Sequence, residues 1–251
     1  MTHSAPPRRV LAVTGADRLG FLQDLVTNDV GLLERGPAYA ALLSPQGKYL
    51  ADFVMVADGD AVLLDVAEPL AEGLTRRLAM YRLRRKVEVA PTDLRVETGE
   101  GETPEGAFAD PRDAALGWRR IGAVEGRGPS DALRVERMVP EAGIELVPEE
   151  SYVLEMGFER LGGVDFRKGC YVGQEIVARM KHKTELRKGL ARVVLDGDAR
   201  ARSGDAIVVG DREIGRLGTV AGNRALATLR FDRAGETMTA GGARAALDAK
   251  G

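Results

Sequence analysis

The pattern of apolar runs changes character near Lys188, and that change constrains the fold more than any other feature of the chain. Before it, strand-like and helix-like signals alternate. After it, GLARVVL, DAIVVG, REIGRLGTV and RALATLRF follow one another with only Gly- and Asp-rich breaks between them. Short β-like runs at such close spacing are typical of a small barrel or sandwich. The chain therefore reads as two units, an α+β region over 1–188 and an all-β domain over 189–251. With 251 residues, 44% of them hydrophobic, it is long enough for both to bury a core. The Ala- and Gly-rich end is expected to fray.

Within the first unit, an apolar run at 10–13 precedes Asp17, a residue suited to cap a helix, and Leu19, Leu22 and Val26 then share one helical face. Three β-like runs follow at 39–43, 49–56 and 61–66, broken by the turn signals SPQGK and DGD. Pro69 suits a first helical turn, Leu70, Leu74, Leu78 and Tyr81 continue at helical spacing, and 86–89 returns to a strand. This order predicts an antiparallel sheet with helices on one face. The Gly-, Pro- and charge-rich stretch 95–128 reads as loop.

Composition excludes several classes. With 36 Lys and Arg against 38 Asp and Glu there is no global positive field for nucleic acid. The opening MTHSAPPRRV has no apolar h-region, and no later stretch approaches the roughly 20 apolar residues of a membrane span, so a cytoplasmic protein is expected. One cysteine, Cys170, and two histidines, His3 and His182, build neither an internal disulfide nor a Cys-rich zinc or cluster cage. No metal site is expected, and an iron-sulfur cluster would not be held by this chain alone. A nucleophile-histidine triad would have to rest on His182, since His3 sits in the N-terminus.

The richest segment is 164–188, VDFRKGCYVGQEIVARMKHKTELRK, where an apolar strand end passes through a Gly-bracketed turn into a helical pattern with Val172, Ile176, Val177 and Met180 on one face. Cys170 then falls near a helix start beside Arg167 and Lys168, an environment that favours a thiolate. The alternative is an inert cysteine filling space between strand and helix. Gly169 and Gly173 imply tight backbone geometry or close approach, and Tyr171 is either a stacking platform for a planar ligand or core. Arg179, Lys181, His182, Lys183, Arg187 and Lys188 form a positive patch suited to a polyanionic tail such as a glutamate chain, or a solvated face.

KGCYVGQEIVAR resembles the signature of the YgfZ family, folate-binding relatives of the glycine cleavage T protein. DRLGFLQDLVTNDV, LLSPQGKYLADFVMV and EIGRLGTV resemble the same family in order, so the resemblance covers nearly the whole chain. It implies a T-protein-like folate-binding region of two intertwined, ferredoxin-like α+β parts around a central opening, followed by a small β-barrel. It further implies tetrahydrofolate as cofactor, possibly polyglutamylated, with Asp52 and Glu136 as carboxylates for the pterin donors, Arg134 beside Glu136, and Tyr171 and Arg179 as further folate contacts. Cys170, tuned by Lys168, would be the functional thiol.

The resemblance also implies a role in assembly or repair of iron-sulfur clusters, including those of tRNA-modifying enzymes, with iron-sulfur client or assembly proteins as partners. The rival is a tetrahydrofolate-dependent aminomethyltransferase. Ala51 stands where the T protein carries an acid before Asp52, Arg137 and Met138 replace a small-residue and Gly pair, and KGC is not a T-protein feature. The first and last of these departures point away from aminomethyl transfer. A protein-binding scaffold without ligand is the third reading.

Overall fold

The structure is a computed structural model and describes residues 6–124, 128–182, 185–196, 201–235 and 237–248; His3 and Lys183 lie outside the described residues. Strands β1 (Arg8–Thr14), β2 (Ala38–Leu43), β3 (Tyr49–Asp58), β4 (Ala61–Ala67) and β5 (Glu88–Pro91) form one antiparallel sheet in the order β2-β3-β4-β1-β5. Period-two alternation divides it into two faces. Leu11, Val13, Leu42, Phe53, Met55, Leu64 and Val66 share a core with Leu22 of α1 (Arg18–Gln23) and with Leu74 and Leu78 of α2 (Glu68–Tyr81). The other face carries Tyr39, Ala41, Leu43, Tyr49 and Val54, and is buried as well.

The first helix is shorter than its apolar spacing predicts. It stops at Gln23, Leu19 is exposed, and Val26 forms a bridge to Leu42 of β2. The chain turns early because Thr27 and Asn28 bind elsewhere: the Thr27 backbone N–H donates to the Ala41 carbonyl, and Asn28 Nδ2 donates to the Tyr39 carbonyl.

The stretch expected to be loop contains a second small sheet of β6 (Arg95–Gly99), β7 (Phe108–Ala109) and β8 (Trp118–Gly122), ordered β6-β8-β7. β6 pairs with β8 across about twenty residues or more, and β7 has only two residues, so no local periodicity could signal the sheet. After α3 (Asp131–Arg137), capped by the Ser130 hydroxyl, the chain runs largely in turns to residue 173. Val139, Leu146, Val153, Phe158, Leu161 and Tyr171 from this run cover the second face of the first sheet, and α4 (Gln174–His182) follows.

Strands β9 (Lys188–Asp196), β10 (Ala206–Val209), β11 (Arg212–Ala221), β12 (Arg224–Arg230), β13 (Met238–Ala240) and β14 (Ala243–Leu247) close into a barrel in the order β10-β11-β12-β9-β14-β13. The architecture is α+β followed by a closed β-barrel, as the run pattern implies. The Ala- and Gly-rich end does not fray over its described part: β14 pairs with β9 and β13, and Ala240 and Ala245 are buried inside. Small residues are what a narrow barrel interior accommodates. Among the described residues no helix is long and apolar enough to cross a membrane.

Candidate functional site

Cys170 is exposed on a short tip between two buried anchors, Lys168 and Tyr171. The approach to the tip is stapled to the segment after α1. Thr27 Oγ1 donates to the Gly163 carbonyl (2.6 Å), Asn28 Nδ2 to the Gly162 carbonyl (2.7 Å), and the Asp165 backbone N–H to the Thr27 carbonyl (3.0 Å). Lys168 Nζ then donates to the carbonyls of Gln23 (2.8 Å), Val26 (2.6 Å) and Asn28 (2.9 Å). Burial pushes its ammonium down to about 8, against the opposing pull of Asp29, Asp165 and Asp24. Burial likewise pushes the Tyr171 hydroxyl up to about 12, with Asp165 adding to it.

Beyond Tyr171 the backbone is pinned again. Gly173 has φ +84°, and a Cβ there would lie 2.6 Å from the Ser44 carbonyl oxygen, so only glycine lets α4 start against the SPQGK turn.

Two expectations about the thiol need correction. Residues 171–173 separate Cys170 from the first residue of α4, and Gly173 is not helical, whereas the helix dipole acts only within the first turn. Lys168 turns its charge into the three carbonyls, because a buried ammonium needs acceptors. It positions the tip instead of tuning the sulfur.

Asp52 belongs to a different place, a polar layer on the second face of the first sheet. Strand register pairs Ala41 with Asp52, Val54 with Asp65 and Ala67 with Arg8. Asp52 is buried, and its carboxylate accepts from Tyr49 Oη at 2.6 Å and Tyr39 Oη at 2.9 Å. Burial, then the Asp52 charge, hold both tyrosine hydroxyls well above their ordinary range.

Alongside runs a buried chain of charges. Arg8 Nε meets Asp65 Oδ1 (2.6 Å), Arg119 bridges Asp65 (2.6 Å) and Asp110 (2.7 Å), and Arg112 grips Asp110 with two nitrogens (3.0 and 2.8 Å). Burial alone would raise the Asp65 and Asp110 carboxyls, but the guanidinium groups outweigh it and hold both below the usual carboxylate range. Arg8 Nη1 also lies 3.7 Å from Glu141. None of Arg8, Asp65, Asp110, Arg112, Arg119 or Glu141 stood out in the sequence. Isolated charges carry no period, and only register could have linked them.

The other residues singled out do not join Asp52. Arg134 is fully buried and donates to Thr219 Oγ1 of the barrel (2.7 Å), Asp131 Oδ1 (2.9 Å) and the Val139 carbonyl (3.2 Å). It docks the two units onto each other, together with Glu145, which accepts from the Thr219 backbone N–H at 2.6 Å. Glu136 is exposed, and its backbone carbonyl accepts from Arg192. Arg179 is exposed and pairs with Glu175 at 2.8 Å.

These residues do not fit tetrahydrofolate as they stand. The acid expected to meet the pterin already accepts two hydroxyls in a closed layer, and its expected partner faces away. Among the described residues no group of three or more His, Cys, Asp or Glu side chains is arranged to hold a metal ion.

Comparison with known proteins adds three findings. Residues 187–250 match the family described as CAF17, C-terminal beta-barrel domain. The chain is 34% identical over 224 residues to the human (Homo sapiens) mitochondrial iron-sulfur cluster assembly factor IBA57, covering 73% of this chain and 63% of the relative. Against the mouse (Mus musculus) protein of the same name it is 32% identical over 234 residues, covering 76% and 65%. The matches thus span less than two thirds of these relatives' lengths. In fold it resembles the crystal structure of glycine cleavage system aminomethyltransferase T from Bartonella henselae, with TM-score 0.74 over 97% of this chain and 84% of that one at 13% identity, a likeness of fold alone.

The relatives' names overturn the expected cytoplasmic location, since they are mitochondrial proteins. The chain has the fold of aminomethyltransferase T, its barrel matches the CAF17 C-terminal barrel domain, and in sequence it is similar to the IBA57 iron-sulfur cluster assembly factors.

Proposed function

We propose that this protein acts in iron-sulfur cluster assembly by presenting the Cys170 thiol to a partner protein that carries, or receives, the cluster. The observation that carries this reading is the build of the tip: the chain's only cysteine is exposed, while the residues two before and one after it are buried and anchored. Such pre-organisation lowers the ordering cost of bringing a sulfur to a second protein. A single thiolate leaves most positions of a cluster to other ligands, so the partner supplies them. The named role of the IBA57 relatives supports the reading.

Cys170→Ser tests it in cells that depend on this protein. Ser keeps the size but not the metal affinity, so iron-sulfur enzyme activities should fall while the purified variant keeps its melting temperature. Undiminished activities would remove Cys170 from the function.

Tetrahydrofolate, tRNA-modifying enzymes among the clients, and a division into a cofactor region over 1–188 and a barrel over 189–251 form the finer part of the proposal. The geometry supports folate least, because a pterin would have to displace both tyrosine hydroxyls from Asp52. Calorimetric titration with tetrahydrofolate, on the wild type and on Asp52→Asn, decides it. Absence of binding removes folate and leaves the cysteine role standing.

A further inference from the structure

Between α4 and the barrel lies a cavity of about 740 Å³ whose wall includes Glu155, His182, Glu185, Arg187, Lys188 and Arg230. A second cavity, of about 420 Å³, shares Glu155 and Lys188 with it. The charge placement at this seam is unfavourable for the fold taken alone. Lys188 and Arg230 are direct cross-strand partners at the end of the β9–β12 ladder, and like charges directly opposite destabilise a strand pair. Arg187 precedes Lys188 and adds a third cation.

Asp232 neutralises only Arg230, through bonds of 3.1 and 2.8 Å. Among the described residues, the side chains of Arg187 and Lys188 make no hydrogen bond or ion pair. Glu155 is half-buried, its carboxylate has no hydrogen-bonded partner among the described residues, and burial raises its carboxyl while Lys188 and Lys48 oppose the rise. A roomy cavity with convergent, unpaired polar groups is the ordinary form of a ligand site.

We infer that the seam between α4 and the barrel binds a small multivalent anion, one carrying two or more carboxylate or phosphate groups, gripped by Arg187, Lys188 and Arg230. Such a ligand adds for Lys188 and Arg187 the counter-charge that Asp232 supplies to Arg230. Glu155, Glu185 and the Asp232 that pairs with Arg230 match the three cations in number, so the anion is held by the placement of Arg187 and Lys188 and not by an excess of charge, with His182 lining the cavity as a further donor. Neither Cys170 nor Asp52 takes part, so the inference stands apart from the cluster-assembly reading.

Isothermal titration of the full chain with citrate and, separately, with inorganic tripolyphosphate tests it, because the two probes distinguish carboxylate from phosphate chemistry. At least one should bind, more weakly as salt rises. Lys188→Thr and Arg187→Ala should each weaken binding at least about 10-fold, the loss of one charge-assisted contact. Lys188→Thr should also leave the melting temperature unchanged or raise it, since it removes the like-charge pair, and a merely structural lysine would not behave so. Cys170→Ser should bind the probe like the wild type, which separates a failure here from a failure of the cysteine role. Binding of neither probe, or variants that bind as the wild type does, overturns the site.

Discussion

Lys168 shows how one side chain can settle a functional geometry without touching the reacting atom. The residue is nine-tenths buried, and its ammonium replaces water for three carbonyls at and just beyond the end of α1. Lys168→Met should cost about 1–3 kcal/mol, the cost of stranding buried acceptors, and should free the Cys170 tip. Urea denaturation measures the first, and the rate of thiol alkylation measures the second.

The pH dependence has a definite sign. Because the folded ammonium titrates near 8 and the unfolded one near 10.5, the unfolded state binds more protons between these values. The wild type should therefore gain stability relative to Lys168→Met as pH rises from about 8 to 10.5, by an amount on the order of 3 kcal/mol. A flat difference would mean that the ammonium is not desolvated. The sequence singled out Cys170 and Lys168 from their neighbours, but it could not show that the lysine turns towards residues some 140 positions earlier.

Among the elements, the first sheet is where sequence and structure agree best and where Asp52, the acid expected to meet a pterin, already accepts from two tyrosines. Its strands and α2 were legible because two-residue and helical periods are written locally. Its second face was not, because Asp52, Asp65 and Arg8 meet through register and through cover from β8 and the 110–112 turn.

Asp52→Asn should destabilise the fold by about 1–3 kcal/mol, because a neutral amide weakens two buried hydroxyl bonds; thermal unfolding would show the loss. Asp65→Asn should cost more, about 3–5 kcal/mol, since Arg8 and Arg119 would lose a buried counter-charge. The folded pKa values of Asp65 and Asp110 lie below the unfolded ones, so the unfolded state takes up protons first as pH falls. Their contribution is complete above about pH 4 and is lost progressively below it. Denaturation between pH 7 and 2 should show that loss in the wild type and a shallower slope in Asp65→Asn.

At the scale of the whole molecule the barrel is joined to the rest through a buried polar lock. Glu145 accepts from the Thr219 backbone N–H and from the Glu141 backbone N–H at 2.8 Å, while Arg134 reaches Thr219 from the other side. A Cβ on Gly218 would lie 2.4 Å from Glu145 Oε1. Gly218→Ala should force that carboxylate off its partners and cost about 1–3 kcal/mol. Calorimetry should then show the barrel and the α+β region melting less cooperatively than in the wild type.

The strands and second helix of the first sheet, the change to an all-β unit near Lys188 and the lone cysteine were determined by the sequence itself, because hydrophobic period and residue identity are local properties. Tertiary structure alone decided that Arg134 is a docking residue, that Glu136 faces water, that Asp52 is sealed by two tyrosines, and that Lys188 stands opposite Arg230. Each of these depends on which distant backbone closes over a charge. Burial makes such partners obligatory without leaving any trace in the spacing along the chain.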